Sequence, residues 1–130
     1  MSTLLLDTHV VYWWAAQPQL VSAAAAQALS IADELAVASI TWYELAWMAE
    51  HGRIDPGMPL RSWLEGLAGQ VRTVVITPAI AARATTLPAT FPGDAADRII
   101  VATGIEHGWS IVSKDRLIRS HVEMTPGVIW

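Results

Sequence analysis

Leu4-Leu5-Leu6-Asp7-Thr8-His9 decides the fold, because a short apolar run is followed at once by an acid. Three leucines in succession predict a strand that is buried on both faces, as in a parallel sheet. In such a sheet, ligands bind beyond the carboxyl ends of the strands. Asp7, which follows the strand directly, is therefore a candidate functional residue.

Strand-like and helical segments alternate along the rest of the chain. Apolar and β-branched runs predict further strands at Leu35–Ala38, Val71–Ile76, Trp109–Ser113 and Val128–Trp130. Helix-favouring composition between Pro and Gly breakers predicts helices at Val10–Ala16, Leu20–Ala32, Thr41–His51, Leu60–Gly69, Pro78–Leu87 and Ala95–His107. This alternation favours the α/β class, as a three-layer α/β/α sandwich with a central, mainly parallel sheet. No repeat or linker interrupts it, so residues 1–130 are predicted to form a single domain.

Some residues have the chemistry expected at helix ends. Thr41 is predicted to be the N-cap of its helix, because its hydroxyl can accept a hydrogen bond from a backbone N–H. Gly52 and Gly108 are predicted to end two helices, since glycine adopts a left-handed conformation without strain. Asp94 precedes a predicted helix, so it is a candidate N-cap as well as a candidate functional acid.

Composition excludes several kinds of chemistry. The chain has 130 residues and no Cys, which excludes disulfides, zinc–thiolate sites and thiol catalysis. Its formal net charge of −4 does not indicate a broad basic surface for nucleic acid. Gln and Pro interrupt the uncharged stretch between residues 8 and 32, so we expect helices there and no membrane span. No targeting segment is visible, and the composition is compatible with a cytoplasmic protein.

Acids at four positions are predicted to meet at the carboxyl edge of the sheet. Asp7 and Asp115 follow predicted strands, whose carboxyl ends lie on one side if the strands are parallel. Glu44 and Asp97 lie on apolar stripes of helices, where a carboxylate without a partner is costly. Asp94 lies one turn before Asp97, on the same face.

Each acid also has an ordinary structural explanation. Asp7 and Asp115 are explained equally as turn acids. Asp94 and Asp97 suit the start of a helix, through capping and the helix dipole. Glu44 is explained as a buried acid satisfied by hydrogen bonds. Spacing alone does not choose between these explanations and a shared site.

If the acids do meet, their chemistry indicates a metal ion. Carboxylates brought together repel one another, and some of their pKa values rise. A bound divalent cation removes the repulsion, and oxygen ligands without Cys suit Mg²⁺ or Mn²⁺. Such a site can orient a phosphodiester, activate a water molecule and stabilise the leaving oxygen.

Motifs spread along the chain resemble those of PIN-domain proteins, and most closely the VapC-type toxins of bacterial toxin–antitoxin pairs. In chain order they are Leu4-Leu5-Leu6-Asp7-Thr8-His9, Ala38-Ser39-Ile40-Thr41-Trp42-Tyr43-Glu44-Leu45-Ala46, Asp94-Ala95-Ala96-Asp97-Arg98-Ile99-Ile100-Val101-Ala102-Thr103 and Ile111-Val112-Ser113-Lys114-Asp115. The resemblance implies a metal-dependent endoribonuclease with a PIN-like parallel sheet flanked by helices. It also implies inhibition by a VapB-like antitoxin and a homodimer.

The resemblance implies roles for single residues. The implied metal ligands are Asp7, Glu44, Asp97 and Asp115, with Asp7 as the central one. Thr8 and Ser113 match polar positions that orient the acids or a water, and Asp94 matches an acid of open role. Arg98 and Arg116 are candidates for contact with RNA phosphate, with surface ion pairs as the alternative. Thr41 stands where many relatives have Ser and keeps the hydroxyl.

Aromatic side chains and histidines have less specific explanations. Tryptophans close to the acids in sequence are Trp13, Trp14, Trp42 and Trp47. By the resemblance, an antitoxin peptide docks in this region, while core packing, dimer contacts and base stacking are the alternatives. The histidines have no metal-like spacing and are predicted to be structural or surface residues: His9, His51, His107 and His121.

Other function classes fit the sequence less well. A small phosphatase needs a second Asp two residues after Asp7, where His9 stands. A receiver domain that accepts a phosphoryl group needs paired acids near the end of the first strand, and Asp7 is alone there. A non-catalytic RNA- or partner-binding module, with the acids kept for folding, stays open.

Overall fold

The sheet at the centre of the protein is built from five parallel strands. The structure, a computed structural model, describes residues 2–91, 93–121 and 125–130. In chain order, its strands are β1 (Thr3–Leu6), β2 (Glu34–Ala38), β3 (Arg72–Val74), β4 (Ser110–Val112) and β5 (Val128–Ile129). They lie in the order β3-β2-β1-β4-β5, and each pairing is parallel.

Helices connect these strands and cover the sheet. They are α1 (Thr8–Ala16), α2 (Ala23–Ile31), α3 (Ile40–Glu50), α4 (Leu60–Ala68), α5 (Pro78–Thr85), α6 (Ala95–His107) and α7 (Arg116–Ser120). A short 3₁₀ helix, Pro18–Leu20, lies between α1 and α2. Buried side chains form one cluster on each face of the sheet. Leu5 of β1 belongs to one cluster, while Leu4 and Leu6 belong to the other, so the predicted three-layer sandwich is confirmed.

The order in which the chain adds strands to the sheet reverses at β1, and this reversal positions the candidate site. From β1 the chain moves outward through β2 to β3, then returns to place β4 on the other side of β1. Such a switch point leaves a crevice beyond the carboxyl ends of the two strands. Leu6 pairs with Val112, and the Asp7 N–H donates to the Val112 carbonyl at 3.0 Å. Asp7 and Ser113 therefore leave the sheet side by side.

Capping residues explain where several helices begin and end. Asp94 is the N-cap of α6, where its carboxylate accepts from the Asp97 N–H at 2.9 Å. The same helix ends at Gly108, whose φ of +69° is left-handed, as predicted. Asp7 is the N-cap of α1, where its carboxylate accepts from the adjacent Thr8 N–H, and this helix begins at Thr8, two residues before the predicted start.

The prediction that Thr41 caps its helix is wrong. The N-cap of α3 is Ser39, and Thr41 lies inside the first turn, fully buried. The reason is that β2 ends at Ala38 and the helix follows almost at once, which carries Thr41 into the interior. Its hydroxyl bonds to Thr8 at 3.0 Å. The expected capping group is therefore part of the candidate site.

Other differences from the predicted elements have local causes. The predicted helix from Leu20 is interrupted because Ser22 caps α2, accepting from the Ala25 N–H at 3.1 Å. β3 ends at Val74, and Val75 and Ile76 beyond it are exposed. Among the residues described, none of the helices combines the length and apolar character that crossing a bilayer requires.

Candidate active site

Asp7 is the most buried acid of the site, with 6% of its surface exposed. One carboxylate oxygen accepts from the Thr8 N–H at 2.8 Å, and the other accepts from the Ser113 hydroxyl at 2.7 Å. Burial raises the pKa of Asp7 above its ordinary value, although both hydrogen bonds act in the opposite direction. The side chain is therefore fixed at both oxygens, at an electrostatic cost.

Glu44 lies on α3, and a chain of two hydroxyl groups, those of Thr8 and Thr41, holds its carboxylate at the site. The Thr8 hydroxyl donates to Glu44 Oε1. Because Thr8 has a single hydroxyl hydrogen, Thr41 is the donor in the bond between the two threonines. Burial raises the pKa of Glu44, and the nearby charges of Asp7 and Asp94 add to this effect. Thr8, predicted as a supporting residue, thus orients Glu44.

The pKa of Asp97 gives the clearest sign that the acids lie close to one another. Its pKa is raised to about 7, first by burial and then by like charges. Those charges belong to Asp94, Asp7, Asp115 and Glu44. Acids that follow β1, lie on α3, cap α6 and follow β4 therefore act on one side chain.

Asp94 and Asp115 have local roles as well as a place at the site. Asp94 caps α6, and Asp115 caps α7 by accepting from two backbone N–H groups of its first turn, at 2.8 and 3.1 Å. The Asp115 N–H donates in turn to the Ser113 hydroxyl at 3.0 Å. The capping explanation and the shared-site explanation therefore both hold for these acids.

One cavity of about 460 Å³ brings the acids together. It is lined by Asp7, Thr8, His9, Trp13, Glu44, Asp94, Asp97, Lys114 and Asp115. We call it the acid cavity. Carboxylate oxygens without Cys fit a hard divalent ion, and a cation relieves the like-charge repulsion that adds to burial in raising the pKa of Asp97. Within the described residues, no three His, Asp or Glu side chains lie in an arrangement that could hold a metal ion.

The two arginines predicted to contact phosphate lie outside the lining of this cavity. Arg98 uses its guanidinium on backbone carbonyls, of Phe91 at 2.7 Å, Ala84 at 2.9 Å and Leu87 at 3.2 Å. It ties the segment after α5 to α6, so neither a phosphate contact nor a surface ion pair describes it. Arg116 is exposed at the start of α7.

Sequence reasoning missed some residues of the cavity. His9 is predicted to be a structural or surface residue; it is exposed and also lines the cavity, next to Thr8 at the start of α1. Lys114 was not considered, although its position between Ser113 and Asp115 was a usable signal. For Trp13 the sequence leaves antitoxin docking, core packing, dimer contacts and base stacking open, and in the structure its side chain lines the cavity.

A second, more apolar groove of about 730 Å³ adjoins the acid cavity. Exposed aromatic side chains, Tyr43 and Trp47, line it. His51 stacks on Trp47 at 3.9 Å, and the Arg53 guanidinium lies 4.9 Å from the centre of its ring. Trp13 lines both the groove and the acid cavity. We call this second cavity the aromatic groove.

A parallel sheet with an acid-lined cavity at its switch point is the arrangement of a PIN domain. The PIN domain family matches residues 4–122, and the chain belongs to this family. It is 59% identical to Ribonuclease VapC22 of Mycobacterium tuberculosis (strain ATCC 25618 / H37Rv), over 130 residues that make up 100% of both chains. The predicted family is therefore confirmed.

Solved structures of remote relatives have the same fold. A chain of VapBC2 from Rickettsia felis, bound to a DNA fragment from its promoter, has a TM-score of 0.72 at 12% identity, covering 98% of this chain and 99% of that one. A chain of a toxin-antitoxin complex from Klebsiella pneumoniae has a TM-score of 0.70 at 21% identity, covering 98% and 96%. At these identities the likeness supports the α/β/α architecture.

Proposed function

We propose that this protein is a metal-dependent endoribonuclease toxin that cleaves RNA phosphodiesters and is inhibited by a VapB-like antitoxin. The observation that carries the proposal is the gathering of five carboxylates around one cavity, in a chain 59% identical to a ribonuclease over its full length. PIN-domain ribonucleases generally depend on a divalent metal. The oxygen-only donor set favours Mg²⁺ or Mn²⁺.

The carboxylates proposed to hold the ion are those of Asp7, Glu44, Asp97 and Asp115. Once bound, the ion supplies Lewis-acid activation of the phosphodiester and of a water molecule. Ser113 and the Thr8 N–H fix the two oxygens of Asp7, so this ligand needs little reorganisation. The Thr8 hydroxyl holds Glu44 in the same way.

The reaction that fits this arrangement is in-line hydrolysis. Water attacks phosphorus while the bond to the 3′ oxygen breaks, which leaves a 5′-phosphate and a 3′-hydroxyl. Asp97 and Asp115 orient the attacking water, and the Asp97 carboxylate accepts its proton. Asp94 fixes the start of α6 and, with it, the position of Asp97.

The test is cleavage of an unstructured RNA by the purified protein with Mg²⁺ or Mn²⁺. Asp7→Asn and Asp97→Asn are expected to abolish cleavage and, in cells, growth arrest. Asp55→Asn is the matched control, because Asp55 is exposed and lies outside the lining of the acid cavity. Metal-dependent cleavage that persists in both site variants overturns the proposal. Binding of RNA without cleavage by the wild type favours the non-catalytic module.

The aromatic groove supports an antitoxin partner. It exposes Tyr43 and Trp47 beside the acid cavity, so a peptide seated there also obstructs the site. Such a partner buries aromatic surface that is otherwise in contact with water. Co-expression with the product of an adjacent small reading frame is expected to yield an inactive complex. Trp47→Ala is expected to weaken the complex and leave RNA cleavage intact.

Two further expectations accompany this function. A homodimer is proposed because exposed apolar side chains such as Leu20 and Ile31 remain on the surface. Light scattering that gives the mass of a single chain contradicts it. A cytoplasmic location, where the RNA substrate is found, stays a prediction that fractionation of cells tests.

A further inference from the structure

Trp13 forms part of the wall between the acid cavity and the aromatic groove. Its side chain is partly exposed, and two other rings contact it at tilted angles. His9 lies 5.7 Å away at a 45° tilt, and Trp130 lies 5.7 Å away at 53°. Neither ring stacks parallel to it. The indole is therefore a fixed, flat apolar surface next to the acids, with little conformational entropy left to lose on binding.

Lys114 places a positive charge over this surface. Its Nζ lies 5.9 Å from the centre of the Trp13 ring. Of the described residues that line the acid cavity, Lys114 alone is a Lys or an Arg, among five carboxylates. The side chain is exposed and has a flexible stem, so its ammonium can exchange one partner for another.

A nucleotide matches this pair in both shape and charge. A nucleobase is flat and stacks on aromatic rings whatever its sequence, and the phosphate next to it attracts an ammonium group. A base inside an RNA helix is already stacked, so only an unpaired base can reach an indole. Five of the other lining residues are acids, which repel a phosphate while no cation is bound, so the position of the one ammonium group is informative.

We propose that Trp13 and Lys114 form a nucleotide-binding subsite, in which an unpaired base stacks on the indole and the adjoining phosphate contacts the ammonium. In the free protein the ammonium covers the ring; in the complex it moves to the phosphate and the base takes its place. The inference rests on the proposed function and adds the two side chains that receive an unpaired nucleotide next to the bond that is cleaved.

The test measures kcat and KM for cleavage of a short, unstructured RNA. Trp13→Leu is expected to raise KM about tenfold, the usual effect of losing one stacked base. Trp13→Phe keeps a ring and is expected to stay within about threefold of the wild type. Trp14→Leu is the matched control, because Trp14 is next in the same helix and lies outside the lining of both cavities.

Lys114→Gln keeps the proposal testable if Trp13→Leu fails to fold. Loss of one phosphate contact is expected to raise KM and to reduce the slope of log KM against log salt by about one. As a further probe, oligouridylate and the same sugar–phosphate chain without bases compete against the RNA substrate. Trp13→Leu is expected to weaken inhibition by oligouridylate and to leave inhibition by the base-free chain unchanged.

The outcomes separate this inference from the proposed function. If the wild type cleaves no RNA, both are overturned. If it cleaves RNA and Trp13→Leu has the same KM as Trp14→Leu, only the subsite is overturned. Equal weakening of both competitors overturns the stacking step. An effect of Trp13→Leu on antitoxin affinity alone assigns the ring to the partner and also overturns the subsite.

Discussion

Replacement of Asp97 by Asn is expected to stabilise the metal-free protein at pH 8. The Asp97 carboxyl has a pKa of about 7 in the folded protein, against an ordinary value of 3.8. This difference corresponds to about 4 kcal/mol at 1.36 kcal/mol per pKa unit. Because Asp97 is partly exposed, water screens much of the effect, and we expect a gain of about 1–2 kcal/mol in the free energy of unfolding.

The gain must depend on pH with a definite sign. A raised pKa means that the folded state holds a proton that the unfolded state releases. Below pH 3.8 both states are protonated and Asp97 costs nothing. As pH rises towards 7 the wild type progressively loses stability relative to the Asn variant, and above about 8 the difference is constant.

Urea unfolding from pH 5 to pH 8, in the presence of EDTA, measures this difference. Asp55→Asn again serves as the control, because Asp55 is exposed. With saturating Mn²⁺ the wild type is expected to become more stable than the Asn variant, since the ion stabilises the wild type more than the variant. A gain that is the same at pH 5 and pH 8, or a gain equal to that of Asp55→Asn, refutes the reasoning from crowded carboxylates.

Three other expectations follow from the same contacts. Thr41→Val removes the donor to Thr8 and is expected to cost about 1–2 kcal/mol of stability and to weaken Mn²⁺ binding. Thr41→Ser restores both in urea unfolding and metal titration, and equal behaviour of the two variants contradicts the hydroxyl chain. Arg98→Met deprives three carbonyls of their donor and is expected to lower the free energy of unfolding by about 2–3 kcal/mol, whereas Arg116→Met is expected to change it little. Thermal unfolding measures the difference, and an unchanged melting temperature for Arg98→Met contradicts a stabilising role for these hydrogen bonds. Mn²⁺ at a hundred times its Kd is expected to raise the free energy of unfolding of the wild type by about 2.7 kcal/mol. EDTA is expected to abolish cleavage, and the absence of both effects counts against a metal site.

The sequence predicted the fold well where local chemistry and tertiary contacts agree. α6 begins after Asp94 and ends before Gly108, as its capping residues indicated. β1 lies where three leucines precede Asp7, because a run that is buried on both faces has no other place in a layered fold. Parallel strands present their carboxyl ends at one edge, which explains why Asp7 and Asp115 lie at the same cavity, whereas the spacing of Glu44 and Asp97 left a shared site and a structural role both open.

The sequence did not indicate which neighbours several side chains contact, because tertiary packing determines these contacts. Thr41 has the chemistry of a cap, but its position in the first turn of a buried helix gave its hydroxyl to Thr8. Arg98 stands one residue after an acid of the site, yet its guanidinium turns to the carbonyls at the end of α5 and in the loop beyond it. The Lys114 ammonium lies over Trp13, a contact that no local sequence pattern indicates. Such choices depend on neighbours that are distant in sequence.

The hydrogen bond from Ser113 to Asp7 joins residues 106 positions apart. The Thr8 N–H adjoins Asp7 in sequence, whereas the Ser113 hydroxyl reaches it only once β4 has been placed beside β1. A contact with so large a separation forms late, because the loop it closes must first be available. Asp7 is therefore held at both oxygens only late in folding, and a fragment that ends before Ser113 lacks one of the two hydrogen bonds that fix it.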